Sequence, residues 1–336
     1  MPYHDGTELP GLYAAARRGG YGFFASNVTH PDILVGLLHG AERAGSDLVV
    51  QTGSKSAAFY GGGDPAAGIE AFGSYLDALA DTVDIGVFWN VDHVHLPGES
   101  GLLDAVIEDG TASSVMVDAS DQPLEENVAL VRDAVGRVHA ETDMLVEAEL
   151  GRVAGTEADR ETAPEAAFYT DPERAVEFVE RTGCDLLAVS VGTQHGVASG
   201  RQLDVRPSVV AAVDEALRAA GHEVPLVVHG SSGITDEQVA AFLSAGVRKF
   251  NKNTRYQYEY ARTAAEFYRD HADAVIPPEG VANDRADVFD ADDWAPDRTY
   301  FHPHAVGEAV RERLADVMVE LSELTGAAGR SIYADG

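Results

Sequence analysis

Short apolar runs alternate with amphipathic stretches over most of the chain. Each run is continuously apolar, which is typical of a strand in a parallel sheet that helices cover on both faces. Eight runs have this character, and we predict strands at residues 22–27, 47–52, 84–92, 113–118, 144–150, 186–192, 225–229 and 247–251.

Helix start and stop signals separate these runs. Strict alternation of eight strands with helices, within about 250 residues, predicts a (β/α)8 TIM barrel, an α/β fold. A doubly wound open sheet is the alternative. Proline or aspartate stands where three of the amphipathic stretches begin and glycine where each ends, as expected at helix termini: Pro31 and Gly45, Asp171 and Gly183, Asp236 and Gly246.

The last part of the chain falls outside this alternation. A segment rich in Pro and Asp follows residue 272, and a helix is predicted over about 305–324. We therefore predict a single domain over 1–336, with the barrel at about 20–272 and a C-terminal helical arm at about 273–336. Apolar residues on one face of the last helix would pack on the barrel or on a second subunit: Val310, Leu314, Val317, Leu321 and Leu324.

Polar residues cluster where the predicted strands end, at the edge of a (β/α)8 barrel that carries active sites. Three of them are histidines, His93, His195 and His229. Three neutral imidazoles around an open position are a recurrent ligand set for a catalytic divalent metal. We predict a Zn²⁺ site, although Fe²⁺, Mn²⁺ or Co²⁺ would also suit these ligands. Glu149, at the end of another strand, is a candidate fourth ligand.

Two carboxylates are candidates for proton transfer. Asp92 precedes a predicted metal ligand, so it would lie near the metal and could exchange a proton with a substrate hydroxyl. Glu157 lies in the long polar segment that follows Gly151, which we predict to be a lid. A carboxylate that arrives with a closing lid can act as a base where water is excluded.

The loops after the last three predicted strands contain small and polar residues suited to a phosphate group. Their glycines expose backbone N–H groups, and Lys252 with Arg255 would neutralise the phosphate charge. A metal, a proton acceptor and a phosphate anchor together predict enolate chemistry on a sugar phosphate. The candidate phosphate-binding residues are Gly196, Gly230, Ser231, Ser232, Gly233, Asn253, Thr254 and Arg255.

The charge balance limits the class of partner. The chain has 24 Lys and Arg against 56 Asp and Glu, for a net charge of −32 at pH 7. Nucleic acids and anionic membranes are polyanions, so this charge argues against both. Lysine is almost absent, and an acidic, lysine-poor surface suits molar salt, where the Debye length is about 3 Å. No apolar run approaches the roughly 20 residues of a membrane span. We therefore predict a cytoplasmic protein of a halophile, with an ordinary acidic protein as the alternative.

The strand ends carry an ordered series of motifs between about residues 22 and 254. In order and spacing the series resembles the class II, metal-dependent fructose-bisphosphate aldolases. The motifs are Asn27-Val-Thr, Val91-Asp92-His93, Ser114-Val-Met-Val-Asp118-Ala-Ser, Glu125-Glu-Asn-Val, Val146-Glu-Ala-Glu149-Leu-Gly151, Gly192-Thr-Gln-His195-Gly, His229-Gly-Ser-Ser-Gly233 and Lys249-Phe-Asn251.

The resemblance implies a reaction and a metal centre. The reaction is the reversible cleavage of fructose 1,6-bisphosphate to dihydroxyacetone phosphate and glyceraldehyde 3-phosphate through a metal-stabilised enediolate, in glycolysis and gluconeogenesis. His93, His195 and His229 would bind zinc, and Glu149 would reach the metal in another position. We also expect a homo-oligomer, a dimer or a tetramer.

The resemblance also implies roles for residues around the metal. Asp92 would move the proton on the C4 oxygen, and Glu157 would exchange the proton at C1 of dihydroxyacetone phosphate. Asn27 and Asn251 would hold the substrate and its enediolate. The glycines of segment 230–233 would bind a phosphate, with a monovalent cation nearby.

Some positions depart from the family's pattern. The usual Gly-Gly-Ser-Gly is Gly230-Ser-Ser-Gly233 here, and the common Asn-x-Asp-Thr-Asp is Asn251-Lys-Asn-Thr-Arg255. Ser54 would replace a serine expected one position earlier. An arginine of the C-terminal arm is His304 here, and Arg298 is the candidate replacement. These departures leave the cleavage chemistry intact but leave the substrate open, so another ketose phosphate such as tagatose bisphosphate is the alternative.

Three other functions are compatible with parts of the pattern. A Schiff-base aldolase would need a lysine at a strand end, and Lys252 is the candidate. A zinc hydrolase would use Asp92 to activate a water molecule and would not need the phosphate anchors. A metal-holding barrel without catalysis would need neither the proton-transfer groups nor the anchors.

Overall fold

A closed barrel of eight parallel strands forms the centre of the molecule. The computed structural model describes residues 6–151, 169–196, 203–281 and 293–333. The strands follow one another around the barrel in chain order, and β8 closes it against β1. The predicted (β/α)8 TIM barrel is therefore confirmed. The strands are β1 (Phe23–Asn27), β2 (Leu48–Gly53), β3 (Val87–His95), β4 (Ser114–Asp118), β5 (Leu145–Leu150), β6 (Leu186–Val189), β7 (Leu226–Val228) and β8 (Val247–Lys252).

Helices surround the barrel and extend into the C-terminal arm. No helix in the described ranges combines the length and apolar character that a bilayer span requires. The helices are α1 (Leu9–Gly19), α2 (Pro31–Ala44), α3 (Ser54–Tyr60), α4 (Pro65–Ala80), α5 (Ser100–Asp109), α6 (Leu124–Glu141), α7 (Pro172–Thr182), α8 (Pro207–Ala219), α9 (Asp236–Ala245), α10 (Thr254–Asp270), α11 (Ala272–Val275), α12 (Arg298–Phe301) and α13 (Pro303–Thr325).

Helices α2, α7 and α9 begin and end where the sequence signals predicted. Helix α2 has Pro31 in its first turn, and Gly45 after its end has a φ of 60°. Gly183 follows α7 with a φ of 71°. At the start of α9, the Thr235 side chain accepts from the Gln238 N–H, and the Gln238 side chain accepts from the Thr235 N–H. These contacts satisfy N–H groups that the first turn of a helix leaves without partners.

Helix α1 closes the N-terminal end of the barrel and was not among the predicted elements. Leu9, Leu12 and Tyr13 of this helix are buried. The Tyr13 ring centre lies 5.3 Å from that of Phe23 in β1. The helix forms one apolar cluster with residues that line this end of the barrel interior, namely Phe23, Ala25, Val49, Phe88, Leu186, Ala188 and Val227.

The C-terminal helix α13 packs against α2 of the same chain. Leu314 and Val317, on its predicted apolar face, are buried. A Cβ atom at Gly36 would lie 2.7 Å from the Cβ of Leu314, and one at Gly40 would lie 2.4 Å from the carbonyl oxygen of Ala315. Glycine at both positions therefore allows the two helix backbones to approach closely.

Candidate active site

Strand β3 delivers two adjacent residues to the C-terminal end of the barrel. Successive side chains of a regular strand point to opposite faces, so Asp92 and His93 cannot both face the barrel mouth without an irregularity. The pairing of β3 with β4 shifts register between Val91 and Val94, and His93 has a φ of 51°. Such left-handed backbone at a residue other than glycine costs about 1–3 kcal/mol and is concentrated at functional sites. The bulge therefore re-aims His93 toward the other histidines.

The three predicted ligand histidines converge. A ring nitrogen from each of His93, His195 and His229 lies within 4.8 Å of the others. Within the described ranges, the buried Nε2 of His93 and Nδ1 of His229 have no hydrogen-bond partner. Glu149 adds a buried Oε2 atom, also without a hydrogen bond, at 3.3 Å from Nδ1 of His229. Because buried polar atoms normally have partners, this donor set fits a divalent cation bound among them.

Two carboxylates hold the opposite nitrogens of these rings. Oδ2 of Asp118 lies 3.0 Å from Nδ1 of His93, and Oε1 of Glu147 lies 2.8 Å from Nε2 of His229. These contacts select which nitrogen of each ring faces the centre, as is usual for metal-binding histidines. The exposed His95 also approaches Asp118, with Nδ1 at 3.3 Å from Oδ2. Neither Asp118 nor Glu147 was among the predicted site residues.

Glu147 is shared between His229 and a lysine inside the barrel. Its second oxygen contacts Nζ of Lys249, and both side chains are almost completely buried. A buried charge without a partner is strongly destabilising. A glutamate in β5 and a lysine in β8, two strands of the barrel, are therefore the sequence signal that could have predicted this pair.

The carboxylates favour positive charge at the centre of the histidines. Burial lowers the pKa of His229, but Glu147 and Glu149 outweigh burial and raise it to about 10. Burial and the neighbouring imidazoles of His93 and His229 lower the pKa of His195 to about 3. His195 is therefore neutral at pH 7, as a metal ligand must be, whereas His229 would release a proton when it binds a cation, whose charge the two glutamates would then stabilise.

Asp92 is buried beside the histidines and is held at both oxygens. Nδ2 of Asn27 donates to Oδ2 at 3.0 Å, and Nδ2 of Asn251 donates to Oδ1 at 3.1 Å. Burial raises the pKa of Asp92, but the charges of His93 and His229 outweigh it and keep that pKa below its ordinary value. The arrangement presents a fixed, ionised carboxylate that can accept a proton.

A cavity of about 100 Å³ opens beside Asp92 and the histidines. Gly230, with a φ of 67°, lets the cavity wall approach the loop after β6, since a Cβ atom at Gly230 would lie 2.7 Å from the carbonyl oxygen of Gln194. The described residues that line the cavity were all predicted site residues: Asn27, Asp92, His93, His195, Gly196, Gly230, Ser232, Asn251, Asn253 and Thr254.

Other predicted site residues lie behind or beside this wall. The hydroxyl of Ser231 is buried and donates to the carbonyl oxygen of Asn251 at 2.7 Å, and Gly233 ends the short 3₁₀ turn Ser231–Gly233. Ser54 begins α3 and is not among the residues that line the cavity. Glu157 lies outside the described residues.

The two residues expected to neutralise a phosphate point elsewhere. Nε of Arg255 lies 2.7 Å from Oε1 of Glu259, so this guanidinium is held by its own helix, and Arg255 is not among the residues that line the cavity. Nζ of Lys252 donates to the carbonyl oxygen of Ser231 at 3.0 Å and lies 4.5 Å from the centre of the Phe24 ring. Lys252 therefore lies behind the turn instead of in the cavity.

Comparison with known proteins identifies the family. Residues 7–330 match the family described as Fructose-bisphosphate aldolase class-II. The chain belongs to the class II fructose-bisphosphate aldolase family. Membership supports the activity of an aldolase, which is a lyase. Proteins of this family are typically zinc-dependent.

Three proteins illustrate the likeness to this aldolase family. The chain is 37% identical to the YdjI protein of Escherichia coli (strain K12) over 235 residues, which cover 68% of this chain and 75% of that protein. It is 32% identical to the D-tagatose-1,6-bisphosphate aldolase subunit GatY of Klebsiella oxytoca over 268 residues, which cover 78% of this chain and 86% of GatY. The crystal structure of the fructose-bisphosphate aldolase of Campylobacter jejuni superposes with a TM-score of 0.81 at 23% identity, covering 98% and 97% of the two chains. At 23% identity, the likeness to the Campylobacter jejuni structure shows the fold alone.

One departure from the aldolase family's pattern lies in the cavity wall. Asn253 stands where that pattern has an aspartate, and Nε2 of Gln257 donates to its Oδ1 at 2.8 Å. The amide removes a negative charge from the wall next to Thr254. The wall is therefore less repulsive toward an anionic ligand than one with a carboxylate at this position.

Proposed function

We propose that the protein catalyses the reversible cleavage of a ketose 1,6-bisphosphate, with fructose 1,6-bisphosphate as the first candidate. The products would be dihydroxyacetone phosphate and glyceraldehyde 3-phosphate. The observation that carries this proposal is the convergence of nitrogens from His93, His195 and His229 beside the doubly held carboxylate of Asp92. Membership of the class II aldolase family supports the same reaction class.

The metal would be held by His93, His195 and His229, with Glu149 as an additional oxygen donor. Zn²⁺ is the first candidate, and Fe²⁺, Mn²⁺ or Co²⁺ would suit the same donors. The buried nitrogen and oxygen atoms that lack partners in the described ranges support this assignment. When bound, the cation supplies Lewis-acid polarisation of the substrate carbonyl.

Asp92 would move the proton that cleavage requires. In the cleavage direction it takes the proton of the C4 hydroxyl, the C3–C4 bond breaks, C4 becomes the aldehyde carbon and C3 keeps the electron pair. Asn27 and Asn251 hold both oxygens of Asp92 and so fix its orientation. Asn251 would also contact the substrate. Glu157 would exchange the proton on the released triose, and this role stays a prediction from the sequence.

A phosphate group of the substrate would bind at the wall formed by the loops after β6, β7 and β8. Backbone N–H groups of Gly196, Gly230 and Ser232 and the start of α10 at Thr254 are suited to an anion. The ammonium group of Lys252 behind the turn adds positive charge without occupying the cavity. A monovalent cation beside the phosphate also stays a prediction from the family resemblance.

The identity of the ketose depends on C4. Fructose and tagatose 1,6-bisphosphates differ only in the configuration at this carbon, whose hydroxyl would face Asp92. The relative GatY is named for tagatose 1,6-bisphosphate, so that substrate is the second candidate. The C4 hydroxyl must point toward Asp92 for cleavage, which makes relative turnover of the two epimers the discriminating measurement.

The proposal is tested by measuring triose phosphate release from both bisphosphates in molar KCl. Samples would be compared before EDTA treatment, after it, and after zinc is restored, with Asp92→Asn as the inactive variant and the exposed Glu126→Gln as its matched control. We expect EDTA to abolish cleavage, zinc to restore it, and only Asp92→Asn to remain inactive. Cleavage that survives EDTA but stops after borohydride reduction in the presence of substrate would contradict the proposal and point to Lys252.

Other properties expected from the sequence remain proposals. These are a dimeric or tetrameric assembly, a cytoplasmic location, the absence of nucleic-acid partners and adaptation to high salt. The net charge of −32 supports the last two.

A further inference from the structure

A second cavity lies at the opposite end of the barrel from the candidate active site. It has a volume of about 320 Å³, against about 100 Å³ beside Asp92. Its walls come from α1, α8 and α9 and from the starts of β7 and β8, where Leu226 and Arg248 lie. A volume of this size is at the lower end of the range for small-molecule sites, about 300–1,000 Å³.

Three arginines, Arg17, Arg218 and Arg248, line this cavity. The chain has only 24 basic residues and a net charge of −32, so three guanidinium groups around one cavity are a strong local departure from the rest of the molecule. Two carboxylates offset part of this charge. Arg218 pairs with Asp214 within α8, and Arg17 lies 3.4 Å from Glu223, whose side chain is 80% exposed.

Arg248 has no such carboxylate partner among the described residues. In the described part of the chain it forms no ion pair within 4.0 Å, and its Nη1 donates to the carbonyl oxygens of Leu243 and Val247 at 3.0 and 2.7 Å. Its buried Nε has no hydrogen-bond partner there. Burial and then the charges of Arg17 and Arg218 lower the pKa of Arg248. The three positive charges therefore repel one another, and the carbonyl contacts hold Arg248 in place despite that repulsion.

We propose that this cavity, which we call the arginine pocket, binds the phosphoryl group of a small phosphorylated metabolite. Guanidinium groups donate in a planar fork that matches phosphate oxygens, and a dianion among them would replace mutual repulsion with attraction. Arg17 can exchange its partner for the anion, because Glu223 is exposed and can turn to solvent when the anion binds. Arg248 is the fixed member, and Arg218 stays bridged to Asp214.

The arginine pocket shares no residue with the candidate active site. The inference therefore stands whether or not the protein cleaves a ketose bisphosphate. Free inorganic phosphate and an organic phosphate ester would present the same group, and the volume of about 320 Å³ favours the ester.

Binding would be measured by calorimetric titration of the full chain with inorganic phosphate and with glycerol 3-phosphate, at constant ionic strength in potassium acetate. Arg17→Met and Arg248→Met would be compared with Arg269→Met, an exposed arginine on α10 paired with Asp270. We expect one binding event to weaken at least about tenfold in the first two variants, about 1.4 kcal/mol, and to stay unchanged in the third. A tighter constant for glycerol 3-phosphate would identify the ester as the better ligand.

Two results would overturn the proposal. The first is the same stoichiometry and affinity in Arg17→Met as in the unmodified chain, because Arg17 is partly exposed and its loss should not prevent folding. The second is equal competition by chloride and phosphate at equal concentration, which would indicate an adventitious halide site only. Crystals soaked in arsenate, located by anomalous scattering, would show directly whether a tetrahedral oxyanion lies among the three guanidinium groups.

Discussion

The two ends of the barrel are built from the same eight strands but contain opposite kinds of side chain. At the N-terminal end, Leu9 and Leu12 of α1 pack into an apolar cluster with Phe23 and Phe88. From the middle of the barrel toward its C-terminal end, which we call the polar end, the interior holds ionisable groups that are at most 1% exposed, namely Glu147, His229 and Lys249. Glu147 and Lys249 pair in register with Leu186 and Phe23, so the polar end begins directly beside the apolar cluster.

The difference separates stability from chemistry. Burying apolar surface stabilises the fold by about 25 cal/mol per Å², whereas removing a charge from water costs several kcal/mol even when it is paired. The apolar end therefore supplies stability, and the polar end uses part of it to hold charges where a reaction needs them. Mutations at the first end should change stability alone, and mutations at the second should change metal binding.

The largest effect is expected from Glu147→Gln at the polar end. Lys249 would be left buried without a counter-ion, so the free energy of unfolding of the metal-free protein should fall by about 3–5 kcal/mol. His229 would lose the carboxylate that orients it, so zinc affinity should fall about 10- to 100-fold. Urea unfolding in EDTA measures the first effect, and competition with a chelator measures the second.

The double variant E147Q/K249M is the matched control for this change. Removing the lysine should recover most of the lost stability, because no unpaired charge remains, while zinc affinity should stay low. If the double variant is as unstable as E147Q, the Glu147–Lys249 pair does not account for the loss.

Leu12→Ala at the apolar end should lower the free energy of unfolding and leave zinc affinity unchanged. The side chain is only 2% exposed, so its truncation should lower the free energy of unfolding by about 2–4 kcal/mol. Zinc affinity should not change, because α1 does not reach the histidines. Arg18→Ala on the exposed side of the same helix should change stability by less than about 0.5 kcal/mol. A loss of zinc affinity in Leu12→Ala would show that the two ends are coupled.

Asp118→Asn tests the polar end without leaving a buried lysine unpaired. Asp118 holds Nδ1 of His93, and its contacts with His93 and His95 outweigh burial and keep the pKa of this carboxyl far below its usual range. Zinc affinity should fall about 10- to 100-fold, about 1.4–2.8 kcal/mol. The same chelator competition applies, with Glu126→Gln as the control, and unchanged affinity in Asp118→Asn would remove Asp118 from the metal centre.

The apolar runs predicted the barrel because most of the strands are short, largely apolar segments that alternate with helix signals. Strands β5 and β8 also carry charged residues. All eight strands overlap the predicted segments, and most boundaries agree within one residue. The exceptions are both ends of β3, which begins at Val87 instead of 84, and the end of β6. Strand β3 continues past Asp92 to His95 because a bulge at His93 restores pairing with β4. Strand β6 ends at Val189 instead of 192, and Val191 instead forms an isolated antiparallel bridge with Tyr169. Helix α1 was missed because it precedes the first strand and follows no βα alternation.

The residues that line the cavity were predictable because they stand at strand ends, which meet at one edge of the barrel. The contacts that orient them were not, because they depend on pairs far apart in sequence. Glu147 meets Lys249 across 102 positions, and no local pattern specifies that meeting. Arg255 was predicted to bind a phosphate because of its charge. In the structure its guanidinium instead pairs with Glu259, one helical turn away.

The smallest effect is expected from Lys252→Met, which compares the two lysines of β8. Lys249 faces inward onto Glu147, whereas Lys252 faces outward, where it contacts the carbonyl oxygen of Ser231 and the Phe24 ring. Burial and the charge of Arg255 lower the pKa of Lys252 from 10.5 to about 8. Between pH 8 and pH 10.5 the unfolded chain therefore binds more protons than the folded chain. The charged lysine destabilises the fold fully below about pH 8, and this penalty disappears as the pH rises from 8 to 10.5.

Allowing for the lost cation–π contact and hydrogen bond, Lys252→Met should raise the free energy of unfolding by about 1 kcal/mol at pH 7. The advantage should shrink toward pH 10.5 in urea unfolding at a series of pH values, and an advantage that does not depend on pH would mean that Lys252 carries no charge penalty.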